Sequence, residues 1–234
     1  MTSELSFDAG GRSIPLELKA SARARNLRLR VDPRTGRVML TIPPRVSRRR
    51  ALQWASGHRE WIEAQLAKIV PAASLEPGAV IPLHGVDHVI DWDAQRSRSV
   101  AVEPGRLVIG GPRDNLEARL LRWLKRHAAE MLAAETREFA QKAGVTVARI
   151  GVADTRSRWG SCSSTGNIRY SWRLILAPDW VRRATVAHEV AHRLHMNHGP
   201  DFHSLVETLL GADPKPARLW LRRFGAGLHR FAPA

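Results

Sequence analysis

Cysteine is almost missing from this chain of 234 residues: Cys162 is the only one, so no internal disulfide framework can form. That scarcity suits a reducing compartment, and the start MTSELSFDAGGRS lacks the basic-then-apolar pattern of a secretory leader. No apolar run approaches the roughly 18 residues of a membrane span. The expectation is a cytoplasmic protein with no membrane partner. Repeats and low-complexity tracts are missing too, as is any recognisable DNA-binding motif. Lysine is scarce: five of 37 basic residues, the rest being arginine. What is present is ordinary globular composition, 44% hydrophobic and 25% charged, long enough for one large domain or two small lobes. Against 22 acidic residues the bases leave a net charge of +15. Such a field attracts polyanions, and predicts weak, non-specific nucleic-acid binding at most. A GC-rich genome would scatter arginines in the same way. Oligomeric state is not encoded in any pattern here.

The first half reads as β-rich. Leu27, Leu29 and Val31 alternate with Arg28 and Arg30, the turn DPRTG (32–36) follows, and RVMLTIPP (37–44) completes a hairpin. Ser47 is placed to cap one helix over about 48–69. Strand-like runs at 79–92 and 99–109 precede a long helix over about 115–143, capped by Asp114 or Asn115 and stopped by Gly144. The second half carries the polar chemistry. VTVARIGVAD (145–154) is β-rich, and IRYSWRLILAP (168–178) alternates before becoming apolar throughout. Pro178 and Asp179 open a helix to about Met196, Asp201 can cap a helix to about Leu210, and PARLWLRRF (216–224) is a short amphipathic helix. The expected fold class is α+β. A β-rich N-terminal lobe with one helix (1–112) would precede a catalytic lobe (113–234), unless the two are continuous.

Within the helix opened by Pro178 stands His188-Glu189-Val190-Ala191-His192. Residues four apart lie one turn apart on one face, so both imidazoles can converge on one ion. Neutral imidazole suits zinc. Glu189 then lies beside the ion without being forced to bind it, where it can deprotonate a water. Catalytic zinc takes three protein ligands. His198, beyond a turn at Asn197 and Gly199, can reach the same ion. His195, His203 and Glu207 are rivals for that place, with His195, Asn197 and His203 otherwise at the rim.

At these residues the chain resembles a known family. TRSRWGSCSSTGNIRYSWRLILAPDWVRRATVAHEVAHRLHMNHGPDF (155–202), with LRLRVDPRTGRVMLTIPPRVS and HREWIEAQLAK upstream, is similar to the YgjP-like metallopeptidase-domain family, related in its zinc motif to SprT-like and other zincin proteases. The resemblance implies a zincin-like lobe, one bound zinc, His188, His192 and His198 as ligands, and Glu189 as the catalytic glutamate. Two positions depart from the family pattern: His203 replaces a frequent aromatic, and His195 a frequent charged residue. In a zincin an extended substrate adds to an edge strand beside the active-site helix, and Ile168 to Ile175 is the candidate, with an ordinary core strand as its alternative. Arg158, Trp159, Asn167, Ile168 and Tyr170 are the candidate substrate contacts. Trp159 can equally be packing, and Cys162 a small buried thiol rather than a metal-facing thiolate. The leading expectation is a zinc metallopeptidase acting on peptide or protein. A nucleotide phosphoanhydride hydrolase using the same site, and a nucleic-acid-associated protease module, are the alternatives.

Overall fold

The computed structural model describes residues 5–9, 12–32, 36–67, 73–155 and 157–231. The fold is α+β, β-rich at first and helical later. Its contacts divide the chain into Met1–Ala72 and Ala73–Ala234.

In the first unit, β1 (Leu5–Ala9), β2 (Arg12–Ala20), β3 (Arg28–Val31) and β4 (Val38–Ile42) form one sheet in the order β1-β2-β4-β3. It consists of two antiparallel hairpins whose second strands, β2 and β4, run parallel. The hairpin expected at 27–44 is present, with Val31 opposite Val38. Leu16, Val38 and Leu40 meet Ala51, Ala55 and Ile62 of α1 (Arg48–Ser56) and α2 (Arg59–Leu66). Ser47 caps α1, accepting from the Arg50 amide at 3.3 Å. The single helix expected over 48–69 is instead broken at His58; residues 68 and 69 lie outside the described residues. His58 Nδ1 donates to the Trp54 carbonyl at 2.9 Å, drawing its backbone out of the helical region.

The second unit repeats the topology. β5 (Val80–Leu83), β6 (Val86–Asp93), β7 (Ala101–Glu103) and β8 (Arg106–Gly110) form two hairpins in the order β5-β6-β8-β7, with β6 and β8 parallel. Each of the two strand-like runs is therefore a hairpin or part of one. α3 (Leu116–Lys142) follows, its Leu120, Leu124, Ala128, Leu132 and Phe139 at helical spacing and buried. Gly144 ends it in the left-handed region at φ 65°. Asn115 precedes it, but its side chain makes no capping bond. Because Ile81, Leu83, Ile90, Leu107 and Ile109 share one core with α3, the division falls at 72 and not at the expected 112.

A second sheet holds β9 (Arg149–Ala153), β10 (Gly160–Cys162) and β11 (Asn167–Ser171) in the order β10-β11-β9. The strand expected to continue through 178 stops at Ser171 and winds into a 3-10 turn, Trp172–Leu176. All five of those residues are buried, which a strand with alternating faces does not achieve against one core. Its carbonyls at Ile175 and Leu176 accept the amides of His84 and Gly85 at 2.8 and 3.3 Å. α4 (Asp179–Ala191), α5 (Pro200–Leu210) and α6 (Lys215–Leu228) complete the unit. No helix among the described residues is long and apolar enough to cross a membrane.

One polar cluster fixes the start of α4. Arg182, 1% exposed, donates to both oxygens of buried Glu135 at 2.8 to 3.1 Å and to Asp179 Oδ1 at 2.7 Å. Asp179 in turn meets His84 Nδ1 at 3.0 Å. Glu135→Ala would strand a buried guanidinium, since Asp179 alone faces solvent. We expect a loss of about 3 kcal/mol or more, read from urea denaturation midpoints. A change under about 1 kcal/mol would show that Asp179 carries the charge balance.

Candidate metal centre

α4 was expected to reach Met196 but ends at Ala191, with His192 at its cap. The next amides close tight turns, Arg193 onto Val190 and Leu194 onto Ala191, so the chain doubles back through 193–199. Pro200 then starts α5, its missing amide harmless at the first helical position. This reversal returns His198 to the face that bears His188 and His192. The three imidazoles offer one nitrogen each, all within 4.8 Å of one another. His198 Nε2 faces His188 Nε2 at 3.3 Å. Phe202 of α5, 1% exposed, packs against all three rings at 4.6 to 4.9 Å between centroids.

The electrostatics favour ligation. Burial, with His192 and His198 close by, pushes His188 down to about 4, so its ring is neutral at pH 7 with a free lone pair. Burial lowers His192 as well. His192 Nδ1 donates to the His195 carbonyl at 3.0 Å, which fixes the tautomer and leaves Nε2 as the acceptor. Three imidazoles with two nitrogens at near-contact distance form a donor set that suits a divalent cation.

Glu189 lies on the neighbouring side of α4, 5% exposed, with no hydrogen-bond partner among the described residues. Burial raises its carboxyl to about 7, and the nearby Arg158 charge only partly opposes this. It reaches the site through Gly160. A β-carbon on Gly160 would stand 2.4 Å from Glu189 Oε1 and 2.6 Å from Cγ, so only glycine leaves this seat open. A cavity of about 210 Å³ adjoins, walled by Ala184, Phe202, Val206, Ala217 and Leu221, with Arg218 and His203 also lining it.

The remaining candidates are scattered. Trp159 lines the cavity, but its indole packs over Gly225 and His229. Arg158 is exposed. Asn167 is held in the 163–167 turn by Thr165 Oγ1 and Ser163 Oγ. Ile168 and Tyr170 face the core: Ile168 is 2% exposed, and the Tyr170 hydroxyl shares a buried 2.9 Å bond with Thr136. Neither reaches the cleft. β11, the expected edge strand, lies between β10 and β9, so it offers no edge. Cys162 is half-buried, its thiol pushed up by burial, and outside the imidazole group. Asn197 and Glu207 are exposed and also outside it, while His195 serves through its carbonyl. Sequence reading missed Gly160, whose role depends on a carboxylate from another element, and the wall at Ala217 and Leu221. The RWGSC motif was the available signal for the former.

A model of the YgjP-like, metallopeptidase domain family matches residues 25–224. Neither the curated proteins nor the solved structures include a match. With that match spanning most of the chain and three imidazoles gathered beside a buried carboxylate, the chain belongs to the YgjP-like metallopeptidase-domain family and is, at the level of that family, a metal-dependent hydrolase.

Proposed function

We propose that the protein is a zinc-dependent peptidase in which His188, His192 and His198 hold one ion and Glu189 is the general base. The observation that carries this reading is a buried, unpartnered carboxylate next to three converging imidazoles. When bound, zinc supplies a Lewis acid for the scissile carbonyl and makes a water easier to deprotonate. Glu189, with its carboxyl near 7, takes that proton and returns it to the departing amine. The apolar wall around the cavity excludes water and accepts one side chain of the substrate. An extended peptide pairs with the outer edge of β10, the strand that carries Gly160 and ends its sheet.

A second reading, hydrolysis of a nucleotide phosphoanhydride, draws on Arg158 and Arg218. Both are exposed, neither has an acidic partner among the described residues, and their charges are felt at Glu189 and His188. A zinc-loaded screen against peptide libraries and nucleoside triphosphates separates the two. Cleaved peptides support the proposal; phosphate or pyrophosphate release with intact peptides overturns it.

Gly160→Ala tests the seat of the base. The added methyl should displace the Glu189 carboxylate and lower kcat by about tenfold to a hundredfold, the scale of a misplacement near 1 Å. Metal content should stay at one equivalent. Unchanged kcat would show that Glu189 has room to move aside without cost.

A further inference from the structure

We infer that the first unit carries a docking surface for the sugar–phosphate backbone of nucleic acid, centred on the end of its sheet where β4 finishes. Charge is concentrated there: residues 1–72 hold 14 basic and 6 acidic side chains, residues 73–234 hold 23 and 16. Over half the net charge thus sits on less than a third of the chain. Basic residues are 14 of 72 against 23 of 162, a modest excess, and their placement is the stronger observation.

Topology gathers these charges further. One face of the sheet is covered by α1 and α2, and the alternating residues point the other way. On that open face Lys19, Thr41 and Arg28 stand side by side across β2, β4 and β3, and Glu17, Met39 and Arg30 form the next row. The segment from β2 to β3 crosses the end of β4, tied there by the Ser21 amide on the Ile42 carbonyl at 3.0 Å, and it carries Arg23 and Arg25. After Ile42 the chain passes Arg45 and enters α1 at Arg48, and the first turn of that helix also carries Arg49 and Arg50, which with Lys19, Arg23, Arg25, Arg28, Arg30 and Arg45 make up the cations of this surface. Lys19, Arg23, Arg25, Arg28, Arg30, Arg45, Arg49 and Arg50 are exposed, and none of these eight has an acidic partner among the described residues. In the larger unit Arg96, Arg106, Arg173, Arg182 and Arg183 meet carboxylates, while others, Arg137, Arg149 and Arg169 among them, stand exposed on separate elements.

Stability does not explain the arrangement. The first turn of α1 has arginines and no acid, the reverse of what the helix dipole favours. Cations gathered on one face against the single carboxylate of Glu17 repel one another at a cost in folding energy, and a polyanion relieves it. Arginine is suited to phosphate through its planar fork. The open face on β2, β4 and β3 has no aromatic ring to stack a base, so contacts stop at the backbone and sequence is not read. An anionic membrane is disfavoured because the same rows present no large exposed apolar side chain to insert.

The test uses the full chain and fluorescently labelled oligonucleotides of about 20 units, one a DNA duplex and one a single-stranded RNA, across a salt series. Four or so neutralised phosphates predict an affinity loss on the order of a hundredfold between about 50 and 200 mM salt. The triple variant Arg23→Gln, Arg25→Gln, Arg28→Gln should bind at least about tenfold more weakly at low salt and flatten the slope by roughly one per arginine that contacts phosphate. A control with the same charge change, Arg137→Gln, Arg149→Gln, Arg169→Gln, removes exposed arginines of the larger unit and should bind like wild type. All six side chains are exposed, so melting temperatures should not move and serve as the check on folding. Equal weakening by both triples would overturn the surface in favour of general charge. No binding at low salt would overturn it, as would capture by phosphatidylserine vesicles with none by either oligonucleotide.

Discussion

Replacing Glu189 by glutamine should leave one equivalent of metal in place and lower hydrolysis by about a hundredfold or more, the scale of losing a positioned acid–base group. Glutamine keeps the size of the side chain, so it fits the seat beneath Gly160, and it keeps hydrogen-bonding shape while removing the base. Metal analysis and turnover must be read together. Retained metal with lost turnover supports the mechanism. Lost metal would make Glu189 a ligand. Retained turnover would pass the base role to His203, which lines the same cavity.

The same variant has a signature in pH that needs no substrate. In protein stripped by a chelator, the Glu189 carboxyl titrates near 7 when folded and near 4.5 when unfolded. The folded state therefore holds a proton that the unfolded chain has released. Its contribution to stability is whole below pH 4.5 and is lost as pH rises through 7. His188 acts in the opposite sense: it falls to about 4 from 6.5, so stability rises with pH across that window as the unfolded chain gives up its proton. In the wild type the two slopes largely offset. Glu189→Gln removes the first, so its stability should climb between about pH 4.5 and 7 and exceed the wild type by about 3 kcal/mol at the upper end. Parallel curves for the two proteins in denaturant titrations would refute the buried, protonated carboxyl.

The second large effect is loss of metal. His188→Ala and His192→Ala each remove one of two ligands fixed on a single helical face, and each should reduce bound zinc well below one equivalent with activity lost in step. A full equivalent in both variants sinks the assignment. His198→Ala should weaken binding too, because the turn that carries it exists to bring its ring back to the pair. Should His203→Ala or Glu207→Ala do so while His198→Ala does not, the third ligand lies on α5.

What could be read from sequence was what depends on local spacing. The pair at 188 and 192, the pairing of 28–31 with 38–41 and the stop at Gly144 each rest on a few neighbouring residues, and each is where it was expected, though the turn at 33–35 lies outside the described residues. The misses share another cause. The break at His58 requires one side chain to take a backbone carbonyl, which composition does not announce. The run at 172–176 is buried on all sides, and burial on all sides erases the periodicity that separates strand from turn. That β11 lies inside its sheet depends on which strands join it, and one of them, β9, arrives from 149–153 in parallel. Gly160 matters only because Glu189, far along the chain, ends against it.

The order of these pieces along the chain bears on how the molecule is made. Both four-stranded sheets are built from hairpins, so every pairing in them closes within a few tens of residues. During synthesis from the N-terminus they can form while the rest of the chain is still being added. The hydrolytic centre cannot. Its imidazoles, the ring of Phe202 beneath them and the wall at Ala217 and Leu221 all come after every strand. A nascent chain therefore presents folded scaffold and basic surface well before it holds a cutting edge, and the neighbouring nascent proteins are not exposed to one until nearly the whole sequence has emerged.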